Sequence, residues 1–238
     1  MRQTIARVAD RFDRGLATSI SVMNVAKLVN MRSDALLREG VLTGDLILAD
    51  GAPLVWLSRL KSTPLPERVA GIDLMRELLQ FADDRRARVY FLGATAPVVE
   101  QVIAATRADF PRLIVAGSRD GYFSEGEQAE VAAGIRDSRP DILLVAMSSP
   151  KKEIFLKRWA VTMAVPICHG VGGSFDVVAG VTRRAPLWMQ RTGLEWFFRV
   201  LQEPRRMWKR YLVTNTKFLV LAVRDLLGLS FDDGPKSR

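Results

Sequence analysis

The sequence predicts an α/β fold: a mainly parallel sheet flanked by helices, followed by a C-terminal helical, basic appendage. Three observations predict it. Short apolar runs alternate with amphipathic stretches through the first two-thirds of the chain. Several of those runs are apolar throughout, as strands covered on both faces require. Beyond Pro186 the strand signals stop, and helical spacing with clustered basic residues takes over.

Taken in order, the expected strands are Thr18–Met23, Asp45–Ala49, Arg88–Leu92, Leu113–Ala116, Asp141–Met147 and Ala164–His169. Helical stretches lie between them at Gly71–Arg86, Ala96–Ala108, Glu125–Ser138 and Pro150–Thr162. Ser124 and Glu127 have capping-box spacing at the start of the third. Such alternation builds a parallel sheet, and ligands then sit beyond the carboxyl ends of the strands. Pro204 suits the first turn of a further helix, where a missing N–H costs little. After it, Trp208, Tyr211, Leu212, Phe218, Leu219, Ala222 and Leu226 recur at helical spacing. Arg205, Arg206, Lys209, Arg210 and Lys217 fall on a neighbouring face, which makes a basic amphipathic helix. The expected division is a core over 1–194 and an appendage over 195–238. Asp232–Arg238 reads as a frayed tail.

Composition narrows the function classes. The 238 residues carry one cysteine, Cys168, and one histidine, His169. An intrachain disulfide, multi-cysteine or His-rich metal sites and most His-paired nucleophiles are thereby excluded, and a reducing cytoplasm fits best. The net charge is +9. From Arg183 onward there are 12 Lys and Arg against 5 Asp and Glu, so +7 of it lies in the terminal segment. Such a segment attracts phosphate, in nucleic acid or on anionic lipid. No secretory leader is expected, because Met1 to Asp13 mixes charges of both signs. No run approaches the roughly 20 apolar residues of a membrane span.

Four post-strand loops hold the candidate chemistry. Asp50-Gly51 reads as a general base beside a close ligand approach, or as a helix cap. Gly93-Ala94-Thr95 reads as an anion site at a helix entrance, or as an ordinary βα turn. Ser148-Ser149-Pro150-Lys151-Lys152-Glu153 suits phosphate or sugar hydroxyls, or is a capped helix with a solvated charge run. Gly170-Val171-Gly172-Gly173-Ser174-Phe175-Asp176 implies a backbone pressed against a ligand or another chain segment, or a tight turn. His169 reads as a strand-end residue with satisfied hydrogen bonds, and Cys168 as a small buried hydrophobe. Trp188, Trp196, Phe197 and Phe198 read as helix core rather than a stacking platform.

These loops, in this order, resemble the WecG/TagA/CpsF family, glycosyltransferase family 26. The resemblance runs from about Thr18 to about Leu227. It is carried by Asp50-Gly51, by Leu65 to Gly71, by Phe91-Leu92-Gly93-Ala94 and by Asp120-Gly121-Tyr122-Phe123. It continues through Pro150-Lys151-Lys152-Glu153, the glycine loop from Gly170 to Asp176, and Arg184-Ala185-Pro186. Gly193-Leu194-Glu195-Trp196, Arg199 and Glu203-Pro204-Arg205-Arg206 complete it.

The resemblance implies a Rossmann-like core and an inverting, metal-independent transferase that needs no cofactor. The donor would be a UDP-sugar and the acceptor a saccharide on polyprenyl diphosphate, met at the inner face of the cytoplasmic membrane. The product would enter a surface or secreted polysaccharide. Self-association into a homo-oligomer is a further expectation, and nucleic acid is not an expected partner. Asp50 matches the base and Asn24 an asparagine near the reaction centre. Donor contacts would come from Gly93, Ala94, Thr95, Gly121, Tyr122, Ser149, Lys152, Gly172, Gly173 and Asp176. Arg68, Arg199, Arg205, Arg206 and Arg210 would meet the acceptor or its diphosphate. Two departures stand near the donor site: Val22 where the family commonly has threonine, and Lys152 where it often has glutamine. They leave the sugar open and keep a UDP-binding scaffold without activity as a rival class, while the basic terminal segment keeps a nucleic-acid-binding module as another.

Overall fold

A computed structural model describes residues 1–61 and 64–229, with Arg206 described in its backbone alone. Within it, six parallel strands form one sheet: β1 Thr18–Met23, β2 Leu46–Ala49, β3 Arg88–Gly93, β4 Ile114–Arg119, β5 Ile142–Ala146 and β6 Ile167–Gly170. Their order across the sheet is β2-β1-β6-β5-β3-β4. Eleven helices join or flank them, and one long helix follows. They are α1 Arg2–Asp13, α2 Val25–Asn30, α3 Ala35–Leu42, α4 Ala52–Arg59, α5 Gly71–Arg85, α6 Ala96–Asp109, α7 Gln128–Asp137, α8 Lys151–Met163, α9 Ser174–Val178, α10 Leu187–Arg191, α11 Glu195–Gln202 and α12 Pro204–Leu226.

The central strands alternate their side chains between two cores. Val89, Phe91, Ile142, Leu144, Ile20 and Ile167 pack with residues of α1, α5, α6 and α9. Tyr90, Leu92, Leu143, Val145 and Cys168 pack with residues of α7 and α8 on the opposite face. Every residue of β5 is buried, which explains why its sequence is apolar without alternation.

This two-sided packing creates a switch point. The chain leaves β3 into α6 on one face and leaves adjacent β5 into α8 on the other. Connections that part in this way open a crevice at the strand ends. Gly93 lets the two strands touch there. It has φ +119°, and a β-carbon on it would lie 2.4 Å from the Ala146 carbonyl oxygen.

The structure shifts several expected boundaries. The fourth strand starts at Ile114 and runs on to Arg119. The sixth starts only at Ile167, because Ala164 takes a left-handed conformation that ends α8. The third helix starts at Gln128, not Glu125. Ser124 and Glu127 form a tight turn ahead of it, in which the Ser124 N–H donates to Glu127 Oε2 at 2.7 Å. The short helices after β1 and the N-terminal α1 carried no clear signal. Arg11 of α1 reaches Asp45 at 2.6 Å and fastens it to the start of β2.

The terminal aromatics overturn one expectation. Trp188 is 61% exposed, and Trp196 and Phe197 also reach solvent, so they are not helix core. The stripe of α12 that packs inward is Met207, Thr214 and Phe218, whereas Trp208, Leu212, Leu219 and Leu226 of the expected stripe point outward. The residues of the expected frayed tail lie outside the described residues.

Phe91 tests the core directly, since it is fully buried against Phe175 with ring centroids 6.0 Å apart. Phe91→Ala is expected to destabilise the fold by roughly 3–5 kcal/mol. Urea unfolding followed by circular dichroism should show a lower midpoint with an unchanged slope.

Candidate active site

All six strands end on the same edge, and one cleft of about 1570 Å³ opens there. Loops after β1, β2, β4, β5 and β6 contribute to its wall, as does Ala94-Thr95 after β3. Residues of α2 and α3 line one side, and Met207, Lys209, Arg210, Val213 and Thr214 of α12 cover it. Packing of α12 against α2 holds that cover in place.

Asp50 sits directly after β2, its amide bonded to the Met23 carbonyl at 2.7 Å. It caps no helix. The cap position of α4 falls on Gly51, at φ +152°, and α4 takes no side-chain cap. The Asp50 carboxylate instead looks into the cleft near the first turn of α5. Burial pushes its pKa up to about 6; Arg68 pulls against this, Glu195 adds to it, and a backbone bond from Gly71 and the charge of Arg199 restrain it further. A carboxylate poised in this range accepts a proton at neutral pH more readily than an ordinary one.

Arg68 does not itself line the cleft; its guanidinium pairs with Glu195, the first residue of α11, beside Asp50. One turn along α11, Arg199 reaches the glycine loop. Its guanidinium nitrogen and an oxygen of Asp176 both lie within 4 Å of where a Gly173 β-carbon would be. Tyr211 of α12 packs at a tilt against Trp196, ring centroids 5.7 Å apart, and burial raises its phenol pKa.

A second cluster lies under the cleft floor. Glu153 Oε1 takes Lys27 Nζ at 2.9 Å and Lys152 Nζ at 3.0 Å, with all three side chains buried. Lys27 also donates to the Val22 carbonyl at 2.5 Å. Burial, with Lys27 nearby, lowers the Lys152 pKa to about 8. For Glu153 burial works upward, but the two ammonium groups overcome it and hold the carboxyl at about 2. Two cations on one carboxylate leave one positive charge in excess. The charge run after β5 is therefore not simply solvated, since only Lys151 of its lysines is exposed.

The cleft gathers most of the predicted residues. Asn24, Asp50, Ala94, Thr95, Gly121, Tyr122, Ser149, Lys152, Gly172, Gly173, Asp176, Arg199 and Arg210 all line it. Asn24 also caps α2, with Oδ1 accepting from the Lys27 amide at 2.9 Å. Tyr122 stands at the mouth, 78% exposed. Gly93 does not line the cleft; it permits close contact between the strands, and the Ala94 amide donates to the Ala146 carbonyl at 2.9 Å. Arg205 is exposed and outside the lining. The Arg206 side chain lies outside the described residues. His169 is sealed between the Ile20 and Gly71 carbonyls at 3.4 Å, and burial lowers its pKa to about 4. Cys168 is likewise buried, with its thiol pushed up to about 12. Sequence reading missed Lys27 and Tyr211 as site residues; it had Glu195 and Glu153 only as parts of motifs.

The profile of the glycosyl transferase WecG/TagA/CpsF family matches residues 1–231. The chain belongs to that family. Two relatives share the name N-acetylglucosaminyldiphosphoundecaprenol N-acetyl-beta-D-mannosaminyltransferase. The one from Bacillus spizizenii is 41% identical over 175 residues, 73% of this chain and 67% of the relative. The one from Bacillus subtilis is 37% identical over 170 residues, 71% of this chain and 65% of the relative. The matched segment thus spans about two thirds of each. Membership of a glycosyltransferase family agrees with the residues that converge on the cleft.

Asp50 also sets a stability prediction for this family member. Its pKa is about 6 in the fold against 3.8 outside it, so the folded state holds the proton more tightly. Stability is therefore highest below pH 4 as far as this group is concerned, and falls as pH rises through about 6. The full cost is at most about 3 kcal/mol. Asp50→Asn should consequently melt above the parent protein at pH 7.5 in differential scanning calorimetry, with the gap closing toward pH 4.

Proposed function

We propose that the chain transfers a sugar from a UDP-sugar to a saccharide carried on polyprenyl diphosphate, with inversion and without a metal. The acceptor class follows the activity for which the two Bacillus relatives are named. The observation that carries the assignment is Asp50: a recessed carboxylate with a raised pKa at the strand-end edge of an open cleft.

The chemistry runs in one displacement. The acceptor hydroxyl gives its proton to Asp50 as its oxygen bonds to the anomeric carbon. The bond from that carbon to the UDP oxygen breaks on the opposite face, and its electron pair leaves with UDP. Proton removal by a positioned carboxylate is worth about 10²–10⁴-fold. Asn24, beside Lys27 at the end of β1, is placed to orient the reacting sugars. Negative charge on UDP falls to arginines and helix N-termini, because the chain has no Asp-x-Asp pair to hold a metal. Arg199 and Arg210 in the cleft supply the cations, and α8 and α6 aim their first turns at it.

No described helix is long and apolar enough to cross a membrane. The acceptor is lipid-linked, so the chain must come to the bilayer. Trp208, Leu212, Leu219 and Leu226 on α12 face outward, and Lys209, Arg210 and Lys217 share the helix. An apolar face that enters the interface with cations beside lipid phosphates suits the inner leaflet.

Two measurements test the proposal. The first is UDP release, assayed with a panel of UDP-sugars and a short polyprenyl-diphosphate saccharide, with and without EDTA. Transfer should be acceptor-dependent and indifferent to EDTA. Its kcat/KM should fall about tenfold per pH unit below about 6, and Asp50→Asn should lose at least 10²-fold while still binding UDP. Full activity in Asp50→Asn would remove the base. The second is vesicle flotation with anionic lipid. Binding should weaken as salt rises and drop on Leu219→Glu; binding to neutral vesicles alone would refute the electrostatic part.

A further inference from the structure

The appendage does more than cover the cleft, because its first residue takes hold of the charge next to the base. Glu195 opens α11 and pairs with Arg68, which comes from the segment ahead of α5. Both side chains are only partly exposed, at 26% and 19%, so the pair is stronger than a solvated surface bridge. The contact joins the C-terminal segment to the core beside Asp50.

Consider what an acceptor brings to this spot. On a saccharide diphosphate with a single sugar, the attacking hydroxyl and the phosphate flank the same ring. With the hydroxyl at Asp50, the diphosphate arrives within reach of a guanidinium beside Asp50. Of the guanidiniums around Asp50, Arg68 acts most strongly on it, and its fork matches a phosphate as well as it matches a carboxylate. Glu195 and the diphosphate therefore compete for one group.

We propose that Glu195 is a positioning residue: it holds Arg68 beside Asp50 in the free enzyme and yields it to the diphosphate of the incoming acceptor. The proposal rests on the transferase reading above. Glu195 has a second cation to go to. Arg199 lies four residues on along α11, on the same helical face. The exchange thus moves a carboxylate from one arginine to the next and leaves neither charge stranded. It also makes seating of α11 sensitive to whether acceptor is bound.

The groups that face Asp50 from its surroundings are Arg68 and the Gly71 amide at α5, Arg184 ahead of α10, Glu195 and Arg199 on α11, and Tyr211 on α12. Among the described residues Glu195 is the carboxylate of this set. Replacing it by a neutral isostere removes a negative charge that favours the protonated base, and frees Arg68 to favour the ionised one.

The test uses Glu195→Gln in the full chain, with Glu195→Ala as a second variant. Calorimetric titration with a short prenyl diphosphate needs no turnover. Affinity should rise roughly 3–10-fold in both variants, and the gain should vanish when Arg68→Lys is added. The acid limb of kcat/KM should move down by about half a pH unit. Unchanged or weaker binding, with a fixed acid limb and a lower melting temperature, would make Glu195 a mere tie between segments and overturn the proposal. Asp50→Asn separates the two levels. If that variant stays active the base assignment fails, while the prenyl-diphosphate titration still judges the exchange.

Discussion

Parallel pairing of every strand is the constraint from which the cleft follows. Parallel neighbours cannot be joined by tight turns, so each connection must cross a face of the sheet through a helix. All six strands then finish on one edge, and residues far apart in the chain meet there. Asn24, Asp50, Tyr122, Lys152 and Asp176 follow five different strands and line one cavity. Where β3 and β5 lie side by side, their connections leave for opposite faces, and the edge opens. Gly93 matters at that point for a steric reason: the two backbones approach so closely that no side chain fits between them.

Charge is handled in two ways within that cleft, and the difference has a physical cause. Glu153 is locked by two ammonium groups, so it stays ionised and is spent on structure. Such a buried cluster is costly to assemble and costlier to break, since loss of one partner strands the others. Among the described residues no ion pair reaches Asp50, and Arg68 is diverted to Glu195. Its carboxylate is left under-compensated, which disfavours the charged fold and raises its basicity. Reactive carboxylates commonly take this form, with some stability given up for a proton affinity near the working pH.

The strands were legible in the sequence because burial on both faces leaves an apolar run that nothing else in the chain imitates. The apolar stretches in β3 and β5 needed no partner to be recognised. Boundaries were less legible where the signal was shared. Ser124 and Glu127 hydrogen-bond as their spacing suggests, yet they close a turn one step ahead of α7. At the site, Asp50 and the glycine loop stood out because short-range chemistry marks them. Lys27 did not, since its meaning depends on Glu153, which is brought to it only by the docking of α8 beside β1. For the exposed Trp188 and Trp196 the helical assignment was right and the inward direction was not. Periodicity identifies a face of a helix, and packing decides which way that face turns.

That ambiguity bears on how the terminal segment works. A helix whose apolar residues all packed inward would be a fixed part of the core. Here Met207, Thr214 and Phe218 anchor α12, while Trp208, Leu212 and Leu219 are left in water at a hydrophobic cost. The polar ties reinforce a docked but separable state: Arg68 with Glu195 at one end, and Lys61 with Asp225 at 2.6 Å at the other. Both ties are ion pairs that phosphate or salt can exchange, unlike the apolar contacts of the sheet. A segment held in this way can be loosened by competing ions. On the reading proposed above, one pair of side chains, Arg68 and Glu195, would then connect the docking of the terminal segment to the charge around Asp50.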